Sequence, residues 1–171
     1  MSSENPIAAQ IKKEFIKRIH HEGIPRIKKC LSLLSEDQTW KQPNENLNSV
    51  GNLILHLEGN VNQWVLSTFT DKKDNRARAK EFDPTRKEQK HDLTVRLDNL
   101  KSNTLDAINN INDEDLIKVY NVQCYKETGV SILIHVIEHF SYHVGQISFY
   151  TKFLLNEDLM YYGGQSLDTT N

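Results

Sequence analysis

The sequence predicts an all-α protein folded as an antiparallel four-helix bundle, on three observations. Long stretches carry apolar residues at three- and four-residue spacing, the signature of amphipathic helices. Glycine and proline number only 7 and 4 in 171 residues, too few for the closely punctuated short strands of an all-β chain. The amphipathic stretches number four, and a bundle is the simplest arrangement that buries all four stripes. The length suits one domain with a sizeable core. That domain is expected to occupy residues 1–171, with a short polar tail from about residue 163.

The first helix is expected from about Pro6, well suited to position N1, to about Leu34, with Ile7, Ile11, Phe15 and Ile19 along one stripe. "EGIP" at 22–25 interrupts it, because Pro25 cannot donate to the helical ladder; a kink or two shorter helices follow. Ser49 is a good N-cap for the second helix, "VGNLILHLEGNVNQWVLSTF", whose inward face collects Leu53, His56, Leu57, Asn60 and Trp64. The next segment, "TDKKDNRARAKEF", reads as a solvated charged loop. A third helix is expected from Asp83 as N-cap and Pro84 at N1, burying Leu93, Leu97, Leu100 and Leu105 and ending before "NDEDL". A turn-rich or extended connection through Val119–Tyr125 leads to the fourth helix, from about Gly129 to Leu155.

Lys and Arg total 21 against 23 Asp and Glu, so no overall positive field points to nucleic acid. No stretch approaches the roughly 18–20 apolar residues of a membrane span, and "MSSENPIAAQIKKEF" has no apolar signal-peptide region. A cytoplasmic protein with neither nucleic-acid nor membrane partners is expected. Cys30 and Cys124 have no CxxC spacing and are both expected to be small buried hydrophobes.

The chemistry-bearing residues concentrate in "EHFSYHVGQI", 138–147. His139 and His143 stand four apart, which on a helix places their Cβ atoms roughly 5–6 Å from each other and lets both rings aim at one point. Ile132, Val136, Phe140 and Ile147 share their face, so the pair points toward the core. His56, inward on helix two, is a candidate third ligand. Three neutral imidazoles suit zinc, nickel, iron or copper, with coordination positions left open for water or substrate. The competing reading is a set of core histidines satisfied by hydrogen bonds. His135 lies one turn before His139, and spacing alone does not choose between the pairs 135/139 and 139/143. Asn60 and Gln146 each stand within one turn of a triad histidine; either amide orients an imidazole or a bound water, or makes an interhelical hydrogen bond. Glu58 and Glu138 project about 100–200° away from the histidines and are poor ligand candidates. A di-iron site would need two Glu-x-x-His motifs, and only "EQKH", Glu88 to His91, is present, in a charged run. No Gly-rich phosphate loop, GxSxG or HExxH occurs.

"SVGNLILHLEGNVNQW" followed by "HVIEHFSYHVGQI" resembles the DinB-like superfamily of four-helix bundles, which includes bacterial thiol-dependent S-transferases. The resemblance spans most of the chain, from the first helix to Leu155. It implies a divalent metal, with zinc and nickel the leading candidates, held by one histidine of helix two and an HxxxH pair whose second member precedes Gly-Gln. On this chain those are His56, His139 and His143, with His135 nearby as a non-ligand. It further implies an enzyme that uses a low-molecular-weight thiol such as bacillithiol or mycothiol as nucleophile toward an electrophilic small molecule, working as a homodimer. The superfamily name records induction by DNA damage and implies no DNA binding. A metal-dependent hydrolase and a non-catalytic, metal-stabilised binding or stress-response bundle are the alternatives.

Overall fold

The computed structural model describes residues 5–168; the first four residues and the last three, and with them the end of the expected polar tail, lie outside the described residues. The Asn5 side chain accepts the Ile7 amide and Pro6 takes N1, where no donor is missed, so helix α1 (Pro6–Phe15) begins as expected. The helix does not split at "EGIP". It passes through a π-helical stretch, Ile16–Gly23, into α2 (Ile24–Leu33). The Ile24 amide reaches five residues back to the Ile19 carbonyl, a frame shift that accommodates the missing N–H of Pro25 without breaking the rod.

A capping box of Ser35 and Gln38 starts the short α3 (Glu36–Trp40), and a second, of Ser49 and Asn52, starts α4 (Val50–Val61) where the sequence places it. The rod continues through a π-helical stretch, Asn62–Leu66, into α5 (Ser67–Phe69). After the short α6 (Arg78–Glu81), the third long helix, α7 (Lys90–Asn110), starts later than expected. Asp83 caps no helix; its carboxylate accepts the Thr85 amide and hydroxyl and closes a turn. Leu93, Leu97 and Leu100 are buried, but Leu105 is exposed, the stripe passing instead through Thr104, Ala107 and Ile108.

Asn112 caps α8 (Asp113–Ile117), and the connection that follows is a hairpin, β1 (Val119–Val122) antiparallel to β2 (Tyr125–Thr128), a minor addition to a helical fold. Thr128 then caps α9 (Gly129–Leu155), which has the expected bounds. α4 packs against α7 and α9, and α2 contacts the same two helices, around a core that includes Phe15, Ile27, Ile54, Leu57, Leu97 and Phe140. Gly23 is needed at the closest approach of the first rod to α9, since a Cβ there would lie 2.7 Å from Phe140 Cε1. No helix among the described residues is long and apolar enough to cross a membrane.

Two further expectations fail on burial. Cys30 is buried but Cys124 is exposed in the hairpin. The charged segment "TDKKDNRARAKEF" is not wholly solvated, because it folds back onto α4 and buries the side chains of Arg76 and Glu81.

His20 is a buried polar group away from the candidate site. Its Nε2 lies 2.8 Å from Thr104 Oγ1, whose own proton goes to the Leu100 carbonyl, so the imidazole must be the donor and Nδ1 keeps a bare lone pair. Burial, reinforced by the Lys101 and His21 charges, lowers its pKa to about 4. The folded state thus binds this proton less readily than the unfolded chain, so stability is complete above the unfolded value near 6.5 and declines as pH falls toward 4. Denaturant titrations from pH 7.5 to 4 are expected to show that decline, and His20→Gln is expected to flatten it; an unchanged slope in the variant would remove His20 as a source.

Candidate metal centre

α4 and α9 face each other, and the contact brings His56 to the HxxxH pair. The ligand nitrogens of His56, His139 and His143 all lie within 4.8 Å of one another. Imidazole nitrogens sharing one tetrahedral ion at about 2.1 Å stand about 3.4 Å apart, so small side-chain adjustments suffice to close this cage. The histidine count, ring type and convergence fit a divalent ion of the zinc, nickel, iron or copper kind.

The far side of two rings is held. Gln146 Oε1 lies 2.7 Å from His143 Nδ1, so that nitrogen carries the proton and Nε2 is left as the ligand atom. Glu81 Oε2 lies 2.9 Å from His56 Nδ1, while His56 Nε2 points at His139 Nε2, 3.0 Å away. Arg76 Nη2 stands 2.9 Å from the same carboxylate oxygen and 3.1 Å from His56 Nδ1, and Nε donates to Glu81 Oε1 at 2.7 Å. The carboxylate is the stronger acceptor, so we place the His56 proton on Nδ1, shared with Glu81, which frees Nε2 for a metal.

Burial acts to raise the Glu81 pKa, but hydrogen bonds from Arg76 and His56, with the Arg76 charge, outweigh it and hold the carboxyl below its ordinary value. Glu81 is therefore ionised at neutral pH. His139 is pushed down to about 3 by burial and then by the neighbouring His143, His56, His135 and Arg76 charges. His143 is lowered by burial, only partly opposed by its bond to Gln146. Both rings stay neutral near pH 7, the state in which imidazole binds metal.

His135 stands outside this cluster. Its ring stacks on Trp64 at 4.0 Å between centroids, tilted 32°, and lies parallel to His139 at 5.6 Å. Asn60 is buried beside the triad without a hydrogen bond to it, and its Oδ1 has no partner. Glu58 turns away to Arg96. Of the "EQKH" pair, Glu88 binds Arg86 and Arg96 and His91 is exposed. His56 and His139 form one wall of a cavity of about 530 Å³ that also reaches Trp64, Arg78, Tyr125 and Glu138.

Arg76 and Glu81 escape a reading by periodicity, since the segment that carries them looks like surface. The indirect signal is Gly59, three residues beyond His56: a Cβ there would sit 2.1 Å from Glu81 Oε1, so the glycine makes room for the carboxylate.

The fold is the one seen in solved structures of two DinB-like proteins. A crystal structure of a DinB-like protein from Bacillus subtilis superimposes with a TM-score of 0.66 at 19% identity, covering 90% of this chain and 96% of that one. A second DinB-like protein, from Bacillus cereus, gives 0.65 at 12% identity over 83% of this chain and 91% of that one. The chain belongs to the DUF1572 family, described as a protein of unknown function, whose model matches residues 8–162. None of the curated proteins compared with it matches.

If Glu81 fixes His56, Glu81→Gln is expected to weaken divalent-metal binding about 10–100-fold in chelator competition, and Gly59→Ala to act in the same direction by displacing the carboxylate. Unchanged affinity in both variants, with helical content intact, would make the contact irrelevant to the metal.

Proposed function

We propose that the protein is a divalent-metal-dependent enzyme that joins a low-molecular-weight thiol to an electrophilic small molecule. The observation that carries this reading is the convergence of His56, His139 and His143 beside a cavity large enough for small molecules, with His56 and His139 on its wall and His56 and His143 held by partners on their outer nitrogens. His56, His139 and His143 are the proposed ligands, and zinc or nickel suits their donor set. A divalent ion so held favours thiolate over thiol, and thiolate is the reactive nucleophile.

The chain's own groups have distinct parts. Glu81 and Gln146 orient His56 and His143, and Arg76 keeps the Glu81 charge in place. The cavity positions the electrophile beside the sulfur and limits water around it. In the reaction the thiol proton passes to solvent, the sulfur forms a bond to the electrophilic atom, and the leaving group departs with its bonding electron pair. The reading goes with a reduced cytoplasmic thiol pool. It also includes a homodimer, supported by the exposed Tyr142, Phe149 and Phe153 along α9.

Protein purified without an affinity tag and offered zinc or nickel is expected to retain close to one metal per chain. His143→Ala is expected to lose it and His135→Ala to keep most of it; retention of metal by His143→Ala would contradict the ligand set. Conjugation of a general electrophile across several cellular thiols should then proceed above background only with metal. Stoichiometric metal without any thiol-dependent rate would favour a hydrolase or a non-catalytic metal-stabilised bundle.

A further inference from the structure

The cavity beside the triad has an unbalanced set of polar groups. Two carboxylates, Glu127 and Glu138, line it, and neither makes an ion pair among the described residues; Glu127 accepts only the Ser131 hydroxyl, at 2.5 Å. Of the two arginines on the wall, Arg76 is committed to Glu81, which leaves Arg78, its guanidinium carbon 5.0 Å from the Phe82 ring centroid, as the single cation set against the two carboxylates. His135 is also on the wall, its ring stacked between Trp64 and His139.

Two further features share that wall. Asn60, 5% exposed, lines the cavity and has an Oδ1 acceptor with no hydrogen-bond partner. A buried acceptor left unpaired is costly unless something supplies a donor. Tyr125, half exposed, lies 6.0 Å from Trp64 between ring centroids and offers an aromatic face at the mouth. Carboxylates, a carbonyl-type acceptor and aromatic faces are together the chemistry that recognises an ammonium group.

From this combination we infer that the cavity selects a thiol that bears an ammonium group, with the amine lying against Glu127, Glu138 and Tyr125 while its sulfur reaches the histidine cluster. The inference rests on the thiol reading above and narrows its substrate class. It sets the site against thiols whose remaining charge is carboxylate alone, which would approach two carboxylates offset by the single charge of Arg78.

Cysteamine and 3-mercaptopropionate, similar in length and opposite in charge, test it. On the cobalt-loaded protein each is titrated by the sulfur-to-cobalt charge-transfer absorption. Cysteamine is expected to bind at least about fivefold more tightly. Because either probe can chelate through its second group, the decisive quantity is the change in that ratio: Glu138→Gln and Glu127→Gln should each reduce it while leaving cobalt stoichiometry unchanged. Equal or reversed affinities, or a ratio that neither substitution moves, would overturn the inference. If cobalt is bound but neither thiol gives the band, the thiol reading itself fails, and calorimetric titration with n-butylamine and butyrate then decides the ammonium inference alone. A preference for the amine that Glu138→Gln reduces would uphold it, and absence of that preference would overturn it.

Discussion

The buried carboxylate of Glu81 is the constraint on which the rest of the site depends. A charge removed from water needs a counter-charge and hydrogen bonds for every exposed lone pair, or it costs several kcal/mol. Arg76 supplies the first with two donors, and His56 adds a third. Satisfying that one group draws the 76–81 segment onto α4, requires glycine at 59, and ties the Asn52 side chain to the Glu81 carbonyl. The same Asn52 closes the capping box that starts α4. The position of His56 along α4 and its ring orientation are thus set by one connected network rather than by apolar packing alone.

The fourth long helix contributes in a different way. α9 is amphipathic over 27 residues, and its buried face interleaves Val136, Phe140, Val144 and Ile147 with the histidines. Apolar packing fixes the helix axis, and the 3.6-residue turn then delivers His139 and His143 to the face of α4. Their surroundings keep both imidazoles neutral near pH 7, which suits them to bind a cation without first losing a proton. Where His20 pairs one ring nitrogen with Thr104, the inner nitrogens of His56 and His139 face each other.

Periodicity made most of the helices legible. The stripes through Leu93, Leu97 and Leu100 and through Ile132, Val136 and Phe140 sit on the buried faces they imply, and Ser49 starts α4 as its capping chemistry requires. The start of α7 was not legible, because Asp-Pro is equally good chemistry for a turn, and Asp83 uses its side chain on Thr85. Nor was the continuity of the first rod across Pro25, since a π-helical frame shift leaves no mark in a hydrophobic pattern. At the site, the three histidines and Gln146 could be named from spacing and resemblance. Arg76 and Glu81 could not, because a buried ion pair five residues apart in a charged connecting segment has the same composition as a solvated one; only its tertiary partners distinguish it.

His56, His139 and His143 are proposed to share one divalent ion. X-ray absorption spectroscopy of the zinc-loaded protein reads this directly. A shared ion predicts three imidazole nitrogens at about 2.0–2.1 Å, seen with the outer-ring scattering that identifies histidine, and one or more light-atom positions beside them. A shell containing a cysteine sulfur, or only oxygen donors with no more than one imidazole, would contradict it.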